Sequence, residues 1–374
     1  MDAICTVIAH NYFSQAMVLA NSLRGTNENF HFIVLVVDGL SRDIPWLPNA
    51  EIMIAEDLEL EKEIFHEMCS YYDLFEISTA VKPTLLKTLL SRGYETVTFI
   101  DPDTKVFGSM EIIKSISRST SIILTPHRYT PLRAGIPNLT EKAYLRYGVF
   151  NLGFISVNAT SVRFLDWWEE RLRWDCRRYT GEVSYTDQKW IDLVPAYFDY
   201  HLLRHKGFNL APWNLDERPI TINKSRTLYA GEDELIFVHF SQMSSQLASG
   251  NSTDAWERHL SGLSDLEESL EFVLHLTKDY SSELRLNRLS VNSQPYPIIN
   301  WPKESFHLRS YRIGLSIGNK NNLQSGGYRL FYTFRILDPL IMKFEKFSTF
   351  NSLIDGLIAD YERIKLYFRK KYLD

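Results

Sequence analysis

The sequence predicts an α/β fold with a mainly parallel central sheet and helices on both faces. Short, β-branched apolar runs such as 32–37 and 96–100 have the length of buried strands. Segments with apolar residues at helical spacing, such as 16–23 and 83–90, alternate with these runs. This alternation is typical of parallel sheets, because neighbouring parallel strands need a crossover connection between them.

The elements of the first third follow one another in a regular order. Gly25 and Gly93 stand where helix C-termini are expected, and Pro83 is a residue type that opens helices. Asp38-Gly39 ends the second apolar run. The expected elements are a strand at 4–9, a helix at 16–23, a strand at 32–37, a helix at 83–90 and a strand at 96–100.

The middle of the chain continues this pattern less regularly. Two runs flanking Gly231 to Glu234, at 228–230 and 235–240, predict a hairpin. A helix at 188–193 is expected to stop before Pro195. The remaining elements are strands at 121–124 and 154–157 and a helix at 162–172.

The character of the sequence changes near residue 250, which predicts a catalytic domain at 1–250 and a mixed α/β or helical C-terminal extension at 251–374. The extension ends in an amphipathic helix at 354–368. The basic residues at the end of that helix are Arg363, Lys365, Arg369, Lys370 and Lys371. Either they form a solvated face that suits the helix dipole, or they contact an anionic membrane surface.

Composition excludes several classes of protein. The chain has 374 residues and a net charge of −5, which argues against a nucleic-acid binder. It contains neither an apolar run of the roughly 20 residues that a membrane helix needs nor a signal-peptide pattern. Three cysteines without a CxxC motif fit a reducing compartment, so a cytoplasmic location is expected. The aromatic fraction of 13% suits a protein that stacks sugars or buries large anchors.

Two carboxylates follow the strand at 96–100. In Asp101-Pro102-Asp103 they are two residues apart, and residues at this spacing in an extended chain point to the same side. Pro102 ends the strand, and ligands of open α/β sheets bind beyond the carboxyl ends of strands. Two negative charges at such a place repel each other unless a cation lies between them. Mn²⁺ and Mg²⁺, which prefer oxygen ligands, are the expected cations. The alternative is an ordinary acidic loop.

Three further motifs have both a functional and a structural interpretation. Asn151 and Gly153 interrupt an apolar strand, either for a ligand or as a β-bulge. Asp187 and Gln188 begin a helix, as a polar site or as a simple N-cap. His239 closes an apolar strand and either completes a metal shell or is a core histidine.

The order of Asp101-Pro102-Asp103, Phe150 to Gly153, Asp187-Gln188 and His239 resembles the GT-A glycosyltransferases. It is most similar to the retaining branch of glycosyltransferase family 8, with glycogenin and the bacterial lipopolysaccharide galactosyltransferases. The segment Val7 to Tyr12 also resembles that family's first strand and nucleotide-contacting loop, and the resemblance covers residues 1–246. Where the family has Gly and Lys after the histidine, this chain has Phe240-Ser241, so a neighbouring GT-A family is the alternative.

The resemblance implies a Rossmann-like GT-A domain that transfers a hexose from a nucleotide-diphosphate sugar, UDP-linked in the expected case, to a saccharide hydroxyl with retention. It implies that Asp101, Asp103 and His239 hold Mn²⁺ or Mg²⁺. It places Asp187, Gln188, Asn151 and Gly153 around the transferred sugar. The implied donor contacts also include Ala9, His10, Asn11, Tyr12, Lys82 and Pro102.

Two residues outside these motifs are candidate sugar or acceptor contacts. Trp213 has the flat apolar face of a sugar platform, and Asn214 has an amide that pairs with hydroxyls. The alternative for Trp213 is a core aromatic under a loop. A lipid-linked acceptor would agree with the membrane interpretation of the terminal helix.

Three rival interpretations remain at this point. An inverting transferase would use Asp187 as a general base. A nucleotidyltransferase normally has a Gly-rich loop after the first strand, whereas Ala9 to Ala20 contains no glycine. A carbohydrate-binding or scaffold protein could keep the fold without the chemistry.

Overall fold

One central sheet and two small sheets form among the residues that the computed structural model describes. These are residues 1–27, 29–38, 47, 49–133, 136, 140–177, 185–241, 256 and 263–287. The strands of the central sheet are β1 Asp2–Ile8, β2 Phe30–Val36, β3 Ala50–Ile54, β4 Thr96–Ile100, β6 Ile122–Pro126, β7 Phe150–Asn158 and β8 His201–Leu202. The strands outside it are β5 Thr104–Val106, β9 Ile220–Ile222, β10 Leu228–Ala230, β11 Asp233–Glu234 and β12 Phe237–His239.

Helices connect these strands. In the described part of the chain they are α1 Phe13–Leu23, α2 Lys62–Tyr71, α3 Leu74–Ala80, α4 Lys82–Ser91, α5 Glu111–Ser117, α6 Glu141–Tyr147, α7 Val162–Leu172, α8 Val194–Tyr197 and α9 Glu267–Leu286. Short 3₁₀ turns precede several of them, notably His10–Tyr12 before α1 and Lys189–Leu193 before α8.

The central sheet has seven strands in the order β3-β2-β1-β4-β7-β6-β8. β1 pairs in parallel with β2 and with β4, and β2 pairs in parallel with β3. β7 runs antiparallel to both β4 and β6, and β6 pairs in parallel with β8. Six strands therefore share one direction, which confirms the predicted α/β class. Because β7 alone is reversed, its first residues lie beside the carboxyl end of β4.

Helices cover both faces of the sheet, as predicted. The side chains of Ala3, Cys5 and Val7 in β1 pack with the apolar residues of α3, α4 and α7. Ile4 and Ile8 point to the opposite face, where they pack with α1 and α5. β1 is buried on both faces, which explains its continuous apolar sequence. Burying each aliphatic side chain contributes about 1.5–3 kcal/mol.

The predicted helix at 83–90 and the hairpin near Gly231 have different outcomes. Helix α4 is present, and Gly93 follows it with φ of +94°. The turn at Gly231 is also present, but only β11 folds back onto β10. The prediction that 235–240 completes this hairpin was wrong, because β12 pairs antiparallel with β5 instead.

The predicted stop before Pro195 was also wrong. The 3₁₀ turn Lys189–Leu193 runs on into α8, and Pro195 lies in the first turn of that helix. A proline is tolerated there because the first N–H groups of a helix have no intrahelical acceptor.

Helix α9 packs against the same compact unit as the central sheet. Its Tyr280 ring stacks on Phe240 with 4.1 Å between centroids, and both side chains are buried. The predicted boundary near residue 250 and the predicted helix at 354–368 lie outside the described residues, so both stay predictions. In the ranges described, no helix combines the length and the apolar character needed to span a bilayer.

Candidate functional site

The turn after β4 carries the paired carboxylates. The Asp101 N–H donates to the Gly153 carbonyl of β7 at 3.0 Å, and the Phe240 N–H donates to the Asp103 carbonyl at 2.8 Å. The Thr104 hydroxyl donates to the Asp101 carbonyl at 2.9 Å. The backbone of this turn is therefore held from both sides, and its position follows from the strands that flank it.

His239 reaches the two carboxylates through the β5–β12 pair, in which it is opposite Thr104. Its Nε2 lies 3.2 Å from Asp103 Oδ1 and 3.7 Å from Asp101 Oδ2. One ligand atom from each of the three side chains lies within 4.8 Å of the others. The fold thus brings together the three residues that the sequence predicted as a metal set. We call Asp101, Asp103 and His239 the acid–histidine cluster.

The side chains of the acid–histidine cluster shift one another's pKa values. Burial raises the pKa of Asp101 above its ordinary value, although nearby Lys82 and His239 oppose the shift. Burial also acts to raise the pKa of Asp103, but the facing His239 outweighs it and the pKa of Asp103 is lowered. Burial acts to lower the pKa of His239, but the charge and hydrogen bond of Asp103 and the charge of Asp101 together outweigh it, so this pKa is raised. Two carboxylates and an imidazole fit Mn²⁺ better than Mg²⁺, which prefers an all-oxygen shell.

Lys82 lies beneath the acid–histidine cluster. Its Nζ is 3.3 Å from Asp101 Oδ1 and 2.9 Å from Asp187 Oδ2, and it donates to the Leu152 carbonyl at 3.1 Å. Burial acts to lower the pKa of Lys82, but the two carboxylates outweigh it and raise that pKa, so the ammonium stays charged. Lys82 is buried and pairs with both Asp101 and Asp187.

Asp187 is buried as well, and the backbone before it is unusual. The Trp168 indole N–H donates to its carbonyl at 3.1 Å. Thr186 has φ of +51°, a left-handed conformation that β-branched residues rarely adopt. Such backbone strain is concentrated at functional sites. The Asp187 carboxylate that follows it pairs with Lys82.

A second group of polar side chains lies beside the first and consists of neutral residues. The Asn151 Oδ1 accepts from the Gly153 N–H at 3.0 Å and from Asn209 Nδ2 at 2.8 Å. Asn151 Nδ2 lies 3.2 Å from His127 Nε2 and 3.3 Å from Gln188 Oε1. Gln188 Oε1 also accepts from the Leu152 N–H at 3.0 Å. We call His127, Asn151, Gln188 and Asn209 the amide cluster.

Gly153 lies in close contact with two side chains of the site. A Cβ at this position would lie 2.7 Å from Cε1 of His239 and 2.8 Å from Asn151 Oδ1. The His239 ring therefore fills the space beside the glycine, and the missing side chain allows β7 to approach the acid–histidine cluster. The predicted contact of Gly153 with the sugar stays a prediction.

The predicted acceptor residues Trp213 and Asn214 belong to the loop before β9. The Trp213 ring is partly exposed and packs edge-on against His239 and His127, with centroids 5.5 and 5.4 Å apart. Asn214 is completely buried. Its Nδ2 donates to the carbonyls of His127 and Asn209, and its Oδ1 accepts from the Ala211 N–H. The amide of Asn214 thus supports the loop and is buried away from solvent, and its predicted hydroxyl contact stays a prediction.

The segment Ala9 to Tyr12 continues β1 at the same edge of the sheet. Residues His10–Tyr12 form a 3₁₀ turn, closed by the Tyr12 N–H donating to the Ala9 carbonyl at 2.8 Å. Asp38, two residues after the end of β2, accepts from the His10 N–H at 3.0 Å and lies 3.0 Å from His10 Nδ1. Asn11 is exposed, and Pro102 between the two carboxylates is partly exposed.

Three residues of the site escaped prediction from the sequence. Asp38 carried a usable signal, since it is an acidic residue directly after a buried parallel strand. His127 and Asn209 have no local pattern that marks them. They reach Asn151 only because β6, β7 and the loop before β9 meet at one edge.

No family model matches the chain. Two relatives from Bacillus subtilis are the uncharacterized proteins YfnD and YfnF. YfnD is 27% identical over 255 residues, which cover 63% of this chain and 76% of YfnD. YfnF is 26% identical over 251 residues, which cover 64% of this chain and 81% of YfnF.

Several solved structures share low similarity with the chain. The galactosyltransferase LgtC in complex with donor and acceptor sugar analogues matches with a TM-score of 0.43 and 13% identity, covering 72% of this chain and 100% of LgtC. Mouse xyloside xylosyltransferase 1 matches with a TM-score of 0.38 and 12% identity, covering 65% of this chain and 98% of that protein. Likenesses this weak do not assign an activity to the chain.

Proposed function

We propose that this chain is a metal-dependent glycosyltransferase of the GT-A type. It would transfer a hexose from a nucleotide-diphosphate sugar, UDP-linked, to a saccharide hydroxyl. The observation that carries the proposal is the convergence of Asp101, Asp103 and His239 at the carboxyl end of β4. Two carboxylates and an imidazole at this distance from one another form a set of oxygen and nitrogen donors that suits a divalent cation.

The neighbouring strand ends supply a place for the nucleotide. The turn His10–Tyr12 follows β1, Asp38 follows β2 and Asp101 follows β4, and these three strands are adjacent in the sheet. A nucleoside lying across β1 and β2 would therefore direct its diphosphate toward the acid–histidine cluster. A cation bound there would neutralise the charge that develops on the departing diphosphate.

The burial of Asp187 favours the retaining reaction over the inverting alternative. A general base must come within hydrogen-bond reach of the acceptor hydroxyl. Asp187 is 2% exposed and its carboxylate pairs with Lys82 at 2.9 Å. We assign to Asp187 the support of Lys82 and, through it, of Asp101. The partly exposed side chains of Gln188 and Trp213 would then border the transferred sugar and the acceptor.

A donor-hydrolysis screen tests the proposal. Full-length protein is incubated with UDP-, GDP- and dTDP-sugars, with Mn²⁺ or with EDTA, and nucleotide release is followed. We expect Mn²⁺-dependent hydrolysis of one donor. Asp103→Asn should reduce it by roughly 1,000-fold, because a Lewis acid contributes several kcal/mol to catalysis.

The matched control for Asp103→Asn is Asp166→Asn on α7, which removes an exposed carboxylate paired with Lys87. This variant should keep the wild-type rate. Equal rates for wild type and Asp103→Asn would reject the metal site. No turnover together with no Mn²⁺-dependent nucleotide binding would favour a carbohydrate-binding or scaffold protein. Once an acceptor is known, NMR of the product tests retention, and an inverted anomeric centre would overturn it.

A further inference from the structure

We infer that Asn209 is a positioning residue that orients His239 for a cation. The inference rests on the proposed function, because it concerns the same metal site. Asn209 is 1% exposed and lies in the loop that leads to β9. Its Oδ1 is 3.1 Å from Nδ1 of His239.

The backbone sets the direction of the hydrogen bonds around Asn209. The Gly153 N–H can only donate, so the Asn151 oxygen that faces it at 3.0 Å must be Oδ1. Because Asn151 Oδ1 can only accept, the Asn209 atom that lies 2.8 Å from it must be the Nδ2 donor. The other amide atom of Asn209 is then the oxygen, and it faces His239.

The state of the imidazole follows from this chain of contacts. An amide oxygen can only accept, so Nδ1 of His239 carries a proton and donates to Asn209. The remaining nitrogen, Nε2, points toward Asp101 and Asp103. In a metal-bound protein the Nε2 lone pair would thus be available as a ligand. Partners of this kind on the second ring nitrogen orient metal-binding histidines in general.

The conformation of Asn209 supports a dedicated role. Its φ of +58° lies in the left-handed region, which asparagine tolerates better than most residues. Asn209 Nδ2 also donates to the Thr125 hydroxyl at 3.1 Å. The side chain is therefore held at both ends, and the His239 ring is packed between it, Gly153 and Trp213.

Two substitutions separate the orienting contact from the rest of the loop. Asn209→Gly removes the side chain and keeps a backbone with positive φ without strain. Thr125→Val removes the distal contact of Asn209 and leaves its bonds to Asn151 and His239 in place. Asn209→Asp keeps an acceptor for Nδ1 of His239 and loses the donor to Asn151.

The measurement is Mn²⁺ binding to the full-length, nucleotide-free protein, by calorimetry and by the EPR signal of free Mn²⁺. We expect Asn209→Gly to weaken Mn²⁺ binding by about 10- to 100-fold, the usual effect of losing such a partner. Thr125→Val should bind Mn²⁺ like the wild type. Asn209→Asp should bind more tightly than Asn209→Gly. Circular dichroism and thermal unfolding establish that each variant is folded.

The outcomes distinguish the inference from the proposed function. Wild-type protein that binds no Mn²⁺ would reject the metal site and the inference together. Wild-type binding with equal affinity in Asn209→Gly would overturn the inference and leave the proposed function standing. An affinity loss that is the same in Thr125→Val, or that Asn209→Asp fails to relieve, would assign Asn209 a structural role only and would also overturn the inference.

Discussion

The acid–histidine cluster and the amide cluster lie side by side at one edge of the sheet, yet they use their polar groups in opposite ways. In the acid–histidine cluster, Asp101 and Asp103 direct carboxylate oxygens at a single imidazole. Their lone pairs converge, and both side chains are partly exposed. In the amide cluster, the donors of Asn151 and Asn209 face acceptors on neighbouring residues.

This difference indicates which half of the site has capacity for a ligand. A cluster with more acceptors than donors is stabilised by an added cation, whereas a saturated network gains little from one. The buried members of the amide cluster, His127, Asn151 and Asn209, are therefore better described as the support of the site than as its contact surface. Asn151 was predicted to touch the sugar, but both ends of its amide already have protein partners.

The largest effect is expected from removing the positive charge under the acid–histidine cluster. Lys82→Met would leave Asp101 and Asp187 without the ammonium between them. Breaking a buried ion pair by removing one partner costs about 3–5 kcal/mol of unfolding free energy. Urea unfolding at pH 7 measures this loss.

Lys87 provides a matched control on the same helix, α4. It also joins two carboxylates, Asp166 and Glu169, but its side chain is 28% exposed. Lys87→Met should cost at most about 1 kcal/mol, because solvent screens surface ion pairs. Similar losses for the two variants would contradict the buried role of Lys82.

A smaller effect is expected when a charge is forced into the amide cluster. Burial lowers the pKa of His127 to about 4, with its hydrogen bond to Val149 as an opposing influence. The unfolded chain takes up this proton near pH 6.5, so stability falls as the pH drops from about 6.5 to about 4. The contribution of His127 to this fall is about 3 kcal/mol.

Urea unfolding between pH 7 and pH 4.5 tests the prediction for His127. His127→Gln removes the titrating group, so the unfolding free energy of the variant should depend less steeply on pH than that of the wild type. The comparison uses slopes, so a constant cost of the substitution does not affect it. Parallel curves would show that the amide cluster tolerates the charge.

The smallest effect is expected where the two clusters touch. Gly153→Ala would place a methyl group 2.7 Å from the His239 ring and 2.8 Å from Asn151 Oδ1. Overpacking of this kind costs about 1–3 kcal/mol. The displaced ring should also weaken Mn²⁺ binding, which calorimetry measures alongside thermal unfolding.

Gly25→Ala is the control for the glycine substitution. No atom lies within 4 Å of a Cβ built at Gly25. The change should be neutral or should stabilise the protein by about 0.4–1 kcal/mol through the unfolded chain. Wild-type Mn²⁺ affinity in Gly153→Ala would mean that β7 and His239 can move apart without consequence.

Five strands of the central sheet, β1, β2, β4, β6 and β7, were predictable from the sequence because they are buried on both faces. The run at 32–37 is continuous and apolar, and it corresponds to β2 with small differences at the ends. The run at 96–100 combines Thr with Val, Phe and Ile, and it has the bounds of β4. The alternation of strands and helices predicted a mainly parallel sheet. Both β2 and β4 pair in parallel with β1. The acidic pair after β4 was predictable for the same reason, since local spacing alone places Asp101 and Asp103 on one side.

The sequence by itself thus determined the α/β class, the position of the carboxylate pair and its need for a partner charge. Only the tertiary structure decided which residues meet that pair. β12 pairs with β5 rather than with β10, and this pairing places His239 beside Asp101 and Asp103. Asn209 and Lys82 reach the site from separate elements. Periodicity reports which face of an element is buried, but it carries no information on which distant polar groups converge, because those contacts depend on strand order and register.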